Sequence, residues 1–147
     1  MNNRTGKTGG VVVLALLATL TIPSIGYASD AESMRKLAVV KLLVESGGMN
    51  CRDRAVEGAK YLREGKRYVL ETTLYRGNEY KIIGAGDSDV RDLDIILFDE
   101  DLDEIDRDTG TDSIPIVEVS PSWSGTFYIA VVMYSGYGYS NVMICYK

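Results

Sequence analysis

Residues Asp87 to Asp112 read DSDVRDLDIILFDEDLDEIDRDTGTD, and this run decides the fold. Within it Leu93, Ile95 and Leu97 alternate with Asp94, Ile96 and Phe98, the period-2 pattern of a strand with one face in a core. Twelve acidic residues stand in the run against only Arg91 and Arg107, so carboxylates crowd both ends of that strand. The whole chain carries a net charge of −5. The acidity is therefore local, because the run alone is more acidic than the chain. Such a field repels phosphate backbones and anionic lipid, which argues against nucleic-acid binding, and it attracts cations.

On either side the same alternation recurs. Arg67–Arg76 places Tyr68, Leu70, Thr72 and Leu74 on one face. Gly77-Asn78 then signals a turn into a second strand, Glu79–Ala85. After the acidic run, Ile114–Val119 reads as a strand that Pro115 assigns to an edge or a strand start. Gly125–Tyr134 sets Phe127, Ile129, Val131 and Met133 inward, but its other face, Tyr128, Ala130, Val132 and Tyr134, is apolar too. Gly136-Tyr137-Gly138 reads as a turn into a last strand, Tyr139–Lys147. Glu104–Arg107 is a candidate seventh strand. Six to eight short strands at this spacing predict a mainly β domain over residues 66–147, an antiparallel, jelly-roll-like β-sandwich.

The N-terminal part has a different period. Asp30–Ser46 reads as a helix, with Met34, Leu37, Ala38, Lys41, Leu42 and Glu45 along one row, Val40, Leu43 and Val44 widening the apolar stripe, and Gly47-Gly48 as its stop. From Cys51 to about Gly65, Ala55, Ala59 and Leu62 repeat at helical spacing. The two segments predict a helical hairpin over residues 29–65. It serves either as a cover over the sheet or as a docking arm for a partner.

Residues 1–28 have the layout of an export signal: Arg4 and Lys7, an apolar core Val11–Leu20, Pro23, and small residues at Gly26 and Ala28 before the cut. The apolar run is too short for a membrane span, so no stable span is expected after cleavage. A periplasmic or extracellular protein follows. In such an oxidising space Cys51 and Cys145 can form a disulfide that closes a long loop. The alternative is two buried thiols.

The chain holds no histidine, which excludes Ser-His and Cys-His catalysis and every His-ligated metal site. Calcium takes six to eight oxygen ligands. Asp87, Asp89, Asp92 and Asp94 at one strand end, and Asp99 and Asp101 at the other, are the candidate ligands. Asp99, Asp101 and Asp103 match EF-hand positions 1, 3 and 5, but Glu104 and Gly110 stand where that loop needs Gly and Glu. The EF-hand reading fails, and the choice is between a calcium site on the rim and acids solvated in turns. No pair of carboxylates is distinguished for acid–base work, so no enzyme is expected. Trp123, Tyr128, Tyr134 and Tyr137 are candidates for an aromatic platform facing a protein or polysaccharide. Alternatively, the helical hairpin covers that face.

The order Asp92-Leu93-Asp94-Ile95-Ile96-Leu97-Phe98-Asp99-Glu100-Asp101, then Ile114-Pro115, then Pro121 and Gly125-Thr126-Phe127-Tyr128-Ile129, resembles the bacterial pre-peptidase C-terminal domain. The resemblance spans roughly Tyr68 to Tyr146. It implies a small β-sandwich in secreted bacterial proteins, usually non-catalytic and commonly attached to peptidases. Some relatives bind calcium or polymeric substrates. The chain departs from that pattern in its helical addition, in the absence of a preceding peptidase domain, and in an Asp101-Leu102-Asp103 turn without the usual Gly. The expected role is an exported, non-catalytic protein with binding or structural work in the cell envelope or outside it. The other reading is a calcium-stabilised accessory module of a secreted hydrolase or a surface-polymer binder.

Overall fold

The computed structural model describes residues 30–52 and 58–147. The expected leader, residues 1–28, lies outside them. In chain order the elements are α1 (Asp30–Ser46), β1 (Asn50–Cys51), β2 (Lys60–Arg63), β3 (Arg67–Leu74), β4 (Tyr80–Gly86), β5 (Val90–Phe98), β6 (Glu104–Asp108), β7 (Ile116–Val119) and β8 (Gly125–Tyr146). All strand pairs are antiparallel: β1, β2, β3, β4 and β5 pair with β8, while β6 pairs with β5 and β7 with β4, giving the order β6-β5-β8-β4-β7 with β1, β2 and β3 off that path on β8.

At 22 residues β8 is far longer than its neighbours, and it bends in the middle. Its first half pairs with β3 and β5, and its second half with β1, β2 and β4. The expected turn at Gly136-Tyr137-Gly138 is therefore not a reversal. Gly136 and Gly138 have φ of 98° and 146°, values side chains resist, and they bend a strand that continues. Across the bend the inward residues switch from odd numbers (Phe127, Ile129, Val131, Met133) to even ones (Val142, Ile144), so both halves face the same core. Leu70 and Leu74, Ile82, Leu93, Ile95 and Leu97, and Val117 complete that core from β3, β4, β5 and β7.

Asp87 holds the bend. Its carboxylate accepts the Tyr139 N–H at 2.8 Å and the Asp89 N–H at 3.1 Å, while its own N–H donates to the Tyr139 carbonyl at 3.0 Å. A Cβ on Gly138 would collide with this carboxylate, and one on Gly136 with the Asp89 carbonyl. The Asp87 carbonyl accepts Lys36 Nζ at 3.2 Å, so α1 is tied to the same point.

The single α-helix among the described residues lies on the outer face of the β4–β8 half. Leu37, Val40 and Val44 pack there against Ile83, Ala85 and Met143. Part of the stripe expected from sequence is thus the buried one, Leu37, Val40 and Val44, whereas Met34, Leu42 and Leu43 are exposed, because the sheet sits against the Ser33–Leu37 side. Asn141 Nδ2 donates to Ser33 Oγ at 2.6 Å and fixes that orientation.

The expected second helix is absent where the chain is described; residues 53–57 lie outside it. Cys51 instead pairs with Cys145, and Lys60–Arg63 pairs with Ser140–Tyr137. Leu62 enters the core and Tyr61 packs edge-on against Tyr139. These strand contacts override the helical propensity of the segment. Cys51 and Cys145 are joined by a disulfide across a sequence separation of 94.

Reducing this bridge frees that loop and is expected to cost roughly 3–5 kcal/mol. Calorimetry with and without reductant measures the loss, and alkylation of the untreated protein should add no mass. Asp87→Ala strips two acceptors from buried amides and is expected to cost about 2–4 kcal/mol in urea unfolding.

Candidate functional site: an uncovered apolar face beside a carboxylate ribbon

Among the described residues the helix covers one half of the sheet and leaves the outer face of the other half bare. On the outer face of β3, β8 and β5, Val69, Ile96, Phe98, Tyr128, Ala130 and Val132 line a shallow cleft of about 300 Å³, with Arg67 at its border. The expectation that a helical hairpin would cover this face is overturned, since α1 packs on Ile83, Ala85 and Met143 instead. Tyr134, further along the same face of β8, is 67% exposed.

Leu102 completes the cleft from the β5–β6 turn and is 66% exposed. Its φ is 65°, the left-handed region that costs a residue with a Cβ about 1–2 kcal/mol. Asp99 enforces this conformation. Its Oδ1 accepts the N–H groups of Asp101 at 3.0 Å and Asp103 at 2.8 Å, while its carbonyl accepts the Leu102 N–H at 3.2 Å. A large apolar side chain is thus held in a strained turn, facing solvent, at the edge of an apolar cleft.

The six candidate calcium ligands do not converge. Asp87 and Asp99 spend their carboxylates on backbone amides, and Asp101 is exposed in the turn that Asp99 closes. Asp89 is half-buried in the β4–β5 loop, where its carbonyl accepts the Tyr137 N–H. Asp92 and Asp94 sit together on β5. Among the described residues no three carboxylate or thiol side chains form a group that could hold a metal ion. Among the described residues the six candidates are therefore not gathered into one ligand set.

What the acidic ribbon does instead is accept backbone hydrogen bonds. Asp108 Oδ1 takes the Gly110 N–H at 3.0 Å, and Asp112 Oδ1 takes that of Ile114 at 2.7 Å. Asp106 and Asp108, on β6, each take an N–H from the edge of β7, Glu118 and Ile116, both at 2.8 Å. These two bonds seam the ends of the strand path and saturate an edge that would otherwise invite pairing.

Asp92 and Asp94 stand apart from this pattern. Both are buried, and Asp92 Oδ1 has no hydrogen-bond partner. Burial, with Asp92 and Asp108 nearby, raises the Asp94 pKa above the usual carboxylate range.

The four aromatic candidates separate as well. Trp123 is not exposed at a corner: it stacks on Phe127 with ring centroids 5.4 Å apart and packs against the core. Tyr128 and Tyr134 belong to the bare face. Tyr137 lies within the bend, between Gly136 and Gly138, with Tyr61, Arg63, Glu64 and Arg91 around a second cleft of about 420 Å³. Sequence reasoning missed Leu102 and Val69. The Asp99-x-Asp101-x-Asp103 spacing was a usable signal for the turn, since Asp side chains cap nearby amides.

Comparison of the chain with known family models and with curated protein sequences gives no match.

The raised Asp94 pKa fixes a sign. The folded state binds the proton more tightly than the unfolded chain, so this group adds stability below the unfolded pKa and loses it as pH rises through the folded pKa. Asp94→Asn is therefore expected to raise the melting temperature at neutral pH by a few degrees. It should also remove the gain that wild type shows on mild acidification, as measured by thermal unfolding across pH.

Proposed function

We propose that the protein is an exported, non-catalytic binding module, a β-sandwich of the pre-peptidase C-terminal kind that acts in the cell envelope or outside it. The bare apolar face of β3, β8 and β5 is its contact surface. The observation that carries this reading is Leu102, exposed at φ 65° on the rim of a cleft lined by Ile96, Phe98 and Tyr128. Strain of that sort, in a turn over-determined by Asp99, is maintained where a side chain must be presented.

Several features support the rest. The leader pattern in residues 1–28 and the Cys51–Cys145 disulfide suit an oxidising compartment outside the cytoplasm. No described helix is long and apolar enough to cross a membrane. The two halves of β8, each with its neighbours and both facing one core, are the arrangement from which a sandwich is built. A cleft walled by aliphatic and aromatic side chains suits an apolar segment of a protein partner better than a polysaccharide, which would require more hydroxyl-pairing groups.

The test is capture from an envelope extract with wild type and with Leu102→Asn. Asn tolerates the left-handed conformation, so the variant is expected to gain about 1 kcal/mol in stability. Partner retention should fall about tenfold. Equal retention by both proteins would remove the assignment of this face.

A further inference from the structure

The acidic seam protects the β6 and β7 edges, and β1 and β2 are only two and four residues long. One long edge is left. β3 runs for eight residues in unbroken register with β8, and among the described residues it pairs with no other strand. It has no bulge within its register, no proline and no inward-pointing charge, and its exposed charges, Arg67 and Glu71, are of opposite sign. Third along it stands Val69, an apolar side chain that is 56% exposed.

The hydrogen-bond phase of β3 follows from its start. Met133 exchanges bonds with Gly65 and Lys66, and from there the ladder places Tyr68, Leu70, Thr72 and Leu74 in the pairs bonded to β8. The N–H and C=O groups of Arg67, Val69, Glu71 and Thr73 therefore point out along the free edge. A second strand can bond only to these four residues, and a second β3 offers the same four.

We propose that β3 is a homodimer edge: two copies of the chain pair antiparallel through β3 about a two-fold axis at Val69. In this register Val69 lies opposite Val69 of the second copy, and Arg67 lies opposite Glu71 on both sides of the axis. Each outward-directed N–H and C=O in the pairing meets its complement. Centring on Leu70 places Val69 against Glu71, and centring on Glu71 places like charges face to face, so charge complementarity selects Val69. Side chains of paired residues share a face. The Val69 walls of the two clefts therefore meet, and the apolar surface continues across both copies. The inference goes beyond the contact role of the cleft and stands whether or not that role holds.

Sedimentation velocity over a wide dilution series tests it, with the chain expressed with its own N-terminus and processed by the cell. Wild type should show a monomer–dimer equilibrium. Glu71→Arg, at an exposed position, sets Arg opposite Arg twice and should weaken association by about tenfold or more. Arg67→Glu combined with Glu71→Arg restores both pairs and should restore the dimer. Val69→Pro removes an N–H that β8 does not use, so it should leave a folded monomer by circular dichroism. Three results would overturn the proposal: a wild-type monomer at every concentration, a dimer indifferent to Glu71→Arg and Val69→Pro, or a double variant no better than Glu71→Arg.

Discussion

The fold depends on a carboxylate meeting a bent strand. β8 is long enough to serve two halves of the sheet only because Gly136 and Gly138 let it bend, and Asp87 keeps the bent segment from fraying. The charge accepts two amide hydrogens, and the backbone of the same residue engages Tyr139 and Lys36. Three elements, α1, the β4–β5 loop and β8, meet at one buried residue. Hydrogen bonds to a charged acceptor are about twice as strong as neutral ones, and leaving buried amides unpaired costs more than the bond contributes. The odd-to-even switch of the inward residues follows from this point, and so does the single core that both halves share.

The same chemistry is repeated along the acidic ribbon. Asp99, Asp106, Asp108 and Asp112 each accept backbone N–H groups, at turns or at the β7 edge. A run that looks like a cation trap in sequence is, in space, a set of acceptors distributed over several loops. Its placement has consequences for surface chemistry. Edges and turns near the ribbon are saturated, whereas the outer edge of β3 keeps its bonding capacity, and the ribbon's own apolar side chains, Ile96, Phe98 and Leu102, help to line the apolar cleft.

The strand periods were legible because burial is one-sided. Leu93, Ile95 and Leu97 are fully buried as their alternation implied, and so are Phe127, Ile129, Val131 and Met133. Glu104–Asp108 also appears where a seventh strand was a candidate. What failed needed distant partners. The glycines at 136 and 138 fit a reversal or a bend equally well, and only Asp87, about fifty residues away, decides between them. Ala55, Ala59 and Leu62 keep helical spacing, yet Leu62 and Cys51 are claimed by β8. The hydrophobic row of α1 was drawn through Leu42, whereas Asn141 and Lys36 rotate the helix toward Ser33 and Leu37. Trp123 looked exposed between two serines, but its ring reaches Phe127. For the contact surface, the apolar second face of β8 was readable from Tyr128, Ala130 and Val132. Its bareness was not, because that depends on which half of the sheet the helix chooses.

Amide hydrogen exchange at Tyr139 reports on the Asp87 clamp most directly, because that N–H is bonded to the carboxylate itself. If the clamp organises β8, the Tyr139 amide exchanges only through global unfolding, as slowly as the Ile129 and Val131 amides in the core of the strand. Exchange at Tyr139 as fast as in an open loop, with Ile129 and Val131 still protected, would mean that the two halves of β8 are held independently and that Asp87 does not join them.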